Sequence, residues 1–292
     1  MKINADTKIM GIMGDPIGHS LSPAIHNSAF NKLNLNYSYF AFHVPKKDLK
    51  CALEGIIGLG IKGLNLTIPH KVEALKYVKN IDREARLIGA INTVLVNKGK
   101  LFGYNTDGRG LISSLKNDCN FNPAGKIVLI LGSGGAARAI ATSLAFYGAK
   151  EIIVANRISD YDLAKKLVSN VRKKLGKNIK CLLLDEDILI KKASHADIMI
   201  NATSVGLHAG ESLPLSAKYF NRASSLRLVY DIIYNHSKTK LLELAGSQGI
   251  NIHNGLGMLL HQGALSFEIW TGKKAPIGVM RKALIHAIGK RG

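Results

Sequence analysis

Short apolar runs alternate along the chain with stretches of helical apolar spacing, the pattern of an α/β protein. Early strands are expected at Lys8 to Met13, Tyr37 to Val44 and Ile61 to Leu66, with helices from Pro23, Lys46 and His70 between them. That order is βαβαβ with parallel strands. Ile91 to Val96 and Lys100 to Tyr104 flank Asn97-Lys98-Gly99, whose glycine suits a short hairpin, so an antiparallel edge is expected to end this first sheet. A helix should follow from about Gly108, and the turn residues of Asn120-Phe-Asn-Pro-Ala-Gly125 suit a domain boundary.

A second series opens at Lys126-Ile-Val-Leu-Ile-Leu131, apolar after its first residue, as a strand covered on both faces requires. Further strands read at Glu151 to Ala155, Cys181 to Leu184, Asp197 to Asn201, Arg227 to Ile232 and Ile250 to His253, a dinucleotide-fold pattern. Gly255 to Trp270 and Pro276 to Ile288 read as helices placed to return to the first domain.

The chain's 292 residues divide more comfortably into two domains than one. An apolar content of 47% with only seven prolines indicates ordered, globular domains. No run reaches a membrane-spanning length and the start, Met1-Lys2-Ile3-Asn4-Ala5-Asp6, lacks the apolar core of a signal peptide, so a cytoplasmic protein is expected. Cys51, Cys119 and Cys181 are too widely spaced for a metal site and odd in number, which reads as free thiols and no bound metal. Forty Lys and Arg against twenty Asp and Glu give a net charge of +20, which raises the question of a nucleic-acid partner. The clusters Lys46-Lys47, Arg172-Lys173-Lys174 and Lys273-Lys274 are short and lack interleaved aromatics, so a solvated basic surface that collects small anions is the better reading.

Gly132-Ser-Gly134-Gly-Ala-Ala137 follows a strand and opens a helix, matching the G-x-G-x-x-G/A turn in its required setting. Gly132 permits the tight turn, Gly134 lets backbone approach a pyrophosphate, and Ala137 allows close helix packing. The next strand ends in Asn156-Arg157 where an NAD site would place a carboxylate; an arginine there can pair a 2′-phosphate, which favours NADP.

In the first domain, Ser20-Leu-Ser22-Pro23 reads either as a capped helix with Ser22 at the N-cap, or as a carboxylate seat of two hydroxyls and a helix N-terminus. Asn65-Leu-Thr67-Ile-Pro69-His-Lys71 and Asn105-Thr-Asp107-Gly108 each follow a strand, and strand ends in such sheets face ligand crevices. Taken singly, Lys71 could be a surface charge and Asp107 a helix cap. Taken together, they suggest polar groups converging on one cleft.

These motifs, with Gly14-Asp-Pro-Ile-Gly-His-Ser-Leu-Ser-Pro23, Gly89-Ala-Ile-Asn-Thr93, Gly103-Tyr-Asn-Thr-Asp-Gly108, Asn201-Ala-Thr-Ser-Val-Gly206 and Gly255-Leu-Gly-Met-Leu-Leu-His-Gln262, resemble the shikimate dehydrogenase family over nearly the whole chain. The resemblance implies a mixed, mostly parallel α/β substrate domain at 1–110, rejoined by helices of 256–292. It also implies a Rossmann-like NADP-binding domain at 111–255, with a cleft between the two. The implied reaction is the reversible NADPH-dependent reduction of 3-dehydroshikimate to shikimate in chorismate and aromatic amino acid biosynthesis, by a monomer or homodimer.

By the same resemblance Lys71 matches the catalytic lysine, working with Asp107 as general acid and base. Ser20 and Ser22 match carboxylate ligands, and Asn65, Thr67, Asn92, Asp107, Tyr234 and Gln262 match substrate-binding positions. Gly132, Ser133, Gly134, Gly135, Ala136, Asn156, Arg157 and Gly255 match cofactor positions, with Ile232 and Met258 on the nicotinamide side. Two departures stand out: Ile158-Ser-Asp-Tyr-Asp162 replaces the family's usual Thr and second basic residue after Asn-Arg, and Tyr234-Asn-His236 replaces a turn former. The nearest rival is a quinate/shikimate dehydrogenase using NAD or NADP, which the two serines and Arg157 disfavour. A basic nucleic-acid-binding protein without enzyme activity is the rival from another class.

Overall fold

A computed structural model describes residues 3–208 and 210–290; Met1 and Lys2, read above as part of the N-terminal segment, and Arg291 and Gly292 of the returning segment lie outside them. In chain order the elements are β1 (Lys8–Gly14), α1 (Ser22–Lys32), β2 (Tyr37–His43), α2 (Leu49–Gly58), β3 (Gly63–Leu66), α3 (His70–Glu73), β4 (Asn80–Ile81) and α4 (Arg83–Ile88). There follow β5 (Thr93–Asn97), β6 (Lys100–Tyr104), α5 (Asp107–Asn117), β7 (Ile127–Leu131), α6 (Gly135–Phe146), β8 (Glu151–Asn156), α7 (Tyr161–Leu175) and β9 (Ile179–Leu183). The last are α8 (Glu186–Ala193), β10 (Ile198–Asn201), α9 (Ala217–Arg222), β11 (Leu228–Asp231), α10 (Lys240–Ser247), β12 (Asn251–His253), α11 (Leu256–Thr271) and α12 (Ile277–Gly289). The chain forms two compact units, one running to Gly110 and resuming at Leu260, the other spanning Leu111–Leu259.

The first sheet has the order β2-β1-β3-β5-β6-β4. β1 pairs in parallel with β2 and β3, whereas β5 runs antiparallel to both β3 and β6. The hairpin between β5 and β6 turns at Lys98 and Gly99, both at positive φ, the geometry that matches strand twist in a two-residue loop. It does not end the sheet as expected: β4, a two-residue strand too short to show any alternation, pairs in parallel beyond β6. The helix expected from Lys46 begins as a 3-10 turn before α2, and α3 is a single turn before another 3-10 turn.

One face of this sheet buries Met13, Leu64, Leu66 and Val94 against Leu49, Leu53 and Ile56 of α2. Elsewhere in the unit α1 packs on α12 and meets α11 through Phe30 and Phe267. Trp270 of α11 donates its Nε1–H to the Val94 carbonyl at 2.9 Å. It lies over Gly63, where a Cβ would come within 2.3 Å of the indole nitrogen.

The second sheet is wholly parallel, in the order β12-β11-β10-β7-β8-β9. That is the doubly wound dinucleotide-binding order. The unbroken apolar run of β7 is explained by two cores: Val128 and Ile130 pack with Leu111, Leu115, Ile140 and Leu144, and Leu129 and Leu131 with Met199, Tyr219, Phe220 and Val229. The unit division falls inside α5, upstream of the 120–125 turn, because Leu111, Ile112 and Leu115 are buried in the second unit's core.

Candidate functional site

In the first unit, strand register sets the site. Asn65 at the end of β3 is opposite Thr93, and Thr93 is opposite Tyr104 at the end of β6. Because β5 is antiparallel, its beginning lies at the carboxyl ends of its neighbours, and Asn92, Thr93, Asn105, Thr106 and Asp107 gather there with Asn65.

Lys71 Nζ donates to Asp107 Oδ2 at 2.7 Å, with side-chain exposures of 32% and 13%, so the pair is sheltered yet reachable. Asn92 Nδ2 donates to Asp107 Oδ1 at 2.8 Å and to Thr106 Oγ1 at 2.9 Å. The orientation of the Asn92 amide is fixed by the Thr106 N–H and the Thr93 hydroxyl, which donate to its Oδ1 at 2.8 and 2.9 Å. Both carboxylate oxygens of Asp107 are therefore held, one by a fixed amide and one by the ammonium. The Lys71 carbonyl also accepts from the Ile91 N–H at 2.7 Å, tying the start of α3 to the segment that carries Asn92.

Asn65, expected to touch substrate, is buried, and its amide is engaged within the protein. Oδ1 accepts from the Tyr39 phenol at 2.7 Å, while Nδ2 lies 3.0–3.1 Å from Asn92 O, Thr93 Oγ1 and Ser266 Oγ. Thr67 is half-buried beside Gly14, where a Cβ would lie 2.4 Å from the Thr67 methyl. Gln262 packs on Gly110, where a Cβ would meet it at 2.7 Å.

Ser22 corrects the N-cap expectation. The cap position is Leu21 and carries no side-chain cap bond, so Ser22 is the first helical residue, followed by Pro23. The Ser22 N–H donates to Ser20 Oγ at 3.3 Å, which holds the Ser20 hydroxyl at a helix N-terminus without an acidic residue in its first turn.

In the second unit, Gly132 has φ +99°, and a Cβ there would come within 3.0 Å of the Ala202 carbonyl. Only glycine suits that turn, where the connections after β7 and β10 diverge. Gly134 precedes α6, whose N-terminus has no side-chain cap and no acidic first-turn residue. A Cβ on Gly134 or Gly135 would meet no protein atom within 4 Å, so the glycines leave room beside uncapped N–H groups, as a bound phosphate requires. Ala137 is fully buried in the core beneath.

Asn156 Nδ2 donates to Ser133 Oγ at 2.6 Å, fastening the glycine turn to the end of β8. Arg157 follows with a side chain 72% exposed, its Nε donating to Asp160 Oδ2. The strand ends at Asn156 without a carboxylate, as expected, but one approaches Arg157 from the turn beyond it. The 3-10 turn Ile158–Asp160 folds Asp160 back onto Arg157, three residues on. Gly255 lies on Ile232, where a Cβ would fall 2.0 Å from the carbonyl oxygen, and Met258 N–H donates to the Tyr230 hydroxyl at 3.0 Å. Tyr234 is half-buried in the loop that follows.

Sequence reading missed Asp231, the fully buried end of β11. Its Oδ1 accepts from Ile233 N–H and Asn201 Nδ2, both at 3.0 Å, and its Oδ2 from the Thr239 hydroxyl at 2.7 Å. One carboxylate thus pins the loops after β10 and β11. Burial pushes its pKa above the ordinary 3.8 despite these bonds. A raised folded pKa means the folded state holds the proton more tightly, so stability falls as pH rises from about 3.8 through the raised value. Asp231→Asn should remove that fall. In urea unfolding, the variant's stability relative to the parent should increase across the window, and a decrease would contradict the assignment.

A doubly wound unit with a glycine turn at an uncapped helix N-terminus, in one chain with a unit that shelters a Lys–Asp pair, defines a two-unit dinucleotide-fold α/β protein. Within that class, the shikimate dehydrogenase substrate binding domain matches residues 12–94, shikimate / quinate 5-dehydrogenase 116–234, and the shikimate 5'-dehydrogenase C-terminal domain 255–285. A Methanopyrus kandleri protein named shikimate dehydrogenase (NADP(+)) is 44% identical over 98% of each chain. A shikimate 5-dehydrogenase from Listeria monocytogenes, solved with shikimate and NAD, has a TM-score of 0.91 at 40% identity, covering 97% of this chain and 98% of that one. The Thermus thermophilus enzyme solved with NADP(H) and shikimate has a TM-score of 0.83 at 35% identity, covering 96% and 99%. The chain belongs to the shikimate dehydrogenase family.

Proposed function

We propose that this protein is a cytoplasmic enzyme that reversibly reduces 3-dehydroshikimate to shikimate with NADPH, using Lys71 and Asp107 as its acid–base pair. The observation that carries the reading is the Lys71–Asp107 contact with Asp107 backed by a fixed Asn92 amide. The three free cysteines suit a reducing compartment.

When bound, NADPH supplies the hydride. Gly132, Ser133, Gly134, Gly135 and Ala136 would hold its phosphates, Asn156 and Arg157 its adenine ribose end, and Ile232, Gly255 and Met258 the nicotinamide side. Ser20 and Ser22 would receive the substrate carboxylate at the start of α1; Thr67, Tyr234 and Gln262 would contact its hydroxyls. The Lys71 ammonium polarises the ketone oxygen and delivers a proton to it as the alkoxide forms, while Asp107 keeps the ammonium aimed and compensated. In the reverse direction Lys71 Nζ accepts the hydroxyl proton. Asn65 and Asn92, both buried, act by holding these groups in place.

A seat built for one set of hydroxyls leaves groups unpaired or crowded with another. Shikimate should therefore be oxidised with a kcat/KM at least roughly tenfold above that for quinate. Equal efficiencies in initial-rate assays would move the assignment to a quinate/shikimate dehydrogenase.

A further inference from the structure

We propose that Ser266, a hydroxyl inside the apolar stretch of α11, is a positioning residue for the Lys71–Asp107 pair. The proposal rests on the reading of that pair given above and extends it to a residue outside the motifs.

Ser266 is fully buried, on a helix whose neighbours in sequence, Leu265 and Phe267, are apolar. A buried serine in such a helix ordinarily satisfies itself by bonding back one turn, and Ser266 does donate to the Gln262 carbonyl at 3.0 Å. That leaves its two acceptor sites, and both face the site network. Asn65 Nδ2 lies at 3.0 Å, Thr93 Oγ1 at 2.8 Å and Thr106 Oγ1 at 3.2 Å.

The Tyr39 phenol donates to Asn65 Oδ1, so the Asn65 amide presents Nδ2 to Ser266 and Thr93. With Asn65 supplying a proton to that side, the Thr93 hydroxyl is available to donate to Asn92 Oδ1. The Thr106 N–H donates to the same oxygen, so Asn92 turns Nδ2 towards Asp107 Oδ1. Asp107 then keeps Oδ2 for Lys71. Ser266 is the acceptor for Asn65 Nδ2 and for the Thr106 hydroxyl, and without it these donors are short of a partner in a buried site where water does not replace it readily. Fixing them from α11 also ties the network to the helix that carries Gln262.

Ser266→Ala is the test, with Ser266→Cys, close in volume and retaining a weak acceptor, as the partial rescue. The first readout needs no substrate. Lys71 in each protein is acetylated with limiting acetic anhydride and quantified by peptide mass spectrometry against Lys98, an exposed lysine at a distant hairpin. Ser266→Ala should raise the relative reactivity of Lys71 several-fold, with the Cys variant between, because the ammonium is held less firmly by Asp107. The second readout is turnover. Losing one buried hydrogen bond in the network should lower kcat for shikimate about 5- to 30-fold with KM for NADP+ unchanged. In a Lys71→Ala background, the same change should cost less than about twofold, since the group it positions is gone. Unchanged Lys71 reactivity in folded Ser266→Ala overturns the proposal, as does an equal loss of turnover in both backgrounds. If altered reactivity accompanies an absence of shikimate turnover in the parent protein, the positioning role stands and the substrate reading falls.

Discussion

Lys71→Ala is expected to lower kcat by about 10²–10⁴-fold while changing the KM for shikimate much less. The magnitude is that of a positioned general acid or base, and the split between constants follows from where the group acts. An ammonium that donates its proton to a developing alkoxide stabilises charge that exists only in the transition state, so its removal appears in kcat. The structure gives this expectation a second part. Asp107 Oδ2 receives the Lys71 ammonium and Asp107 Oδ1 receives the Asn92 amide, so lysine and aspartate form one unit. Asp107→Ala should also lower kcat, and the double variant should lose less than the product of the single losses. Steady-state kinetics on the four proteins check both parts, and near-normal turnover by Lys71→Ala would remove the proposed acid.

The second large effect concerns cofactor choice. NADP should be preferred over NAD, and Arg157→Ala should raise KM for NADP far more than for NAD. A 2′-phosphate carries close to two negative charges, and a guanidinium meets it with charge-assisted hydrogen bonds of about 1.5–3 kcal/mol, or roughly 10–150-fold. The Arg157 side chain is exposed just past the end of β8, next to Asn156, which bonds the glycine turn. Asp160 modifies the expectation. Its carboxylate engages Nε, which steadies the guanidinium yet places a negative charge near the incoming phosphate. With no second basic residue in Ile158-Ser-Asp-Tyr-Asp162, the preference should fall in the lower part of that range. Kinetics with both cofactors at saturating shikimate measure it; comparable kcat/KM for NADP and NAD in the parent protein would contradict it while leaving the substrate assignment standing.

Much of the fold was legible because its elements carry strong local signals. β7 reads as a two-faced buried strand, and the structure covers it on both faces; the six strands of the second sheet all fall where apolar runs predicted them. β4 was not legible, since two residues carry no period. The capping role of Ser22 failed for a related reason, because a one-residue shift in the helix start changes a cap into a first-turn residue without changing the sequence pattern.

The site divides along similar lines. Lys71, Asn92 and Asp107 stand in motifs at strand ends, and the antiparallel course of β5 explains why three separate segments bring them into one network. Tyr39, Ser266 and Asp231 gave no sequence signal. Tyr39 reads as an ordinary strand aromatic, Ser266 as a lone hydroxyl on an apolar helix, and Asp231 as a polar residue at a strand end. Their importance lies in partners distant in sequence, such as the 201 positions separating Asn65 from Ser266. Asp160 was visible as a residue, but its approach to Arg157 depends on a 3-10 turn that the sequence did not announce.

The central claim is tested most directly by mixing the purified protein with shikimate and NADP+ at mildly alkaline pH and following the absorbance of the reduced nicotinamide. The account predicts a rise that requires both reactants, with 3-dehydroshikimate formed in equal amount, and its near abolition in Lys71→Ala. No rise from folded protein shown by titration to bind NADP+, or an undiminished rise in the Lys71 variant, would contradict it.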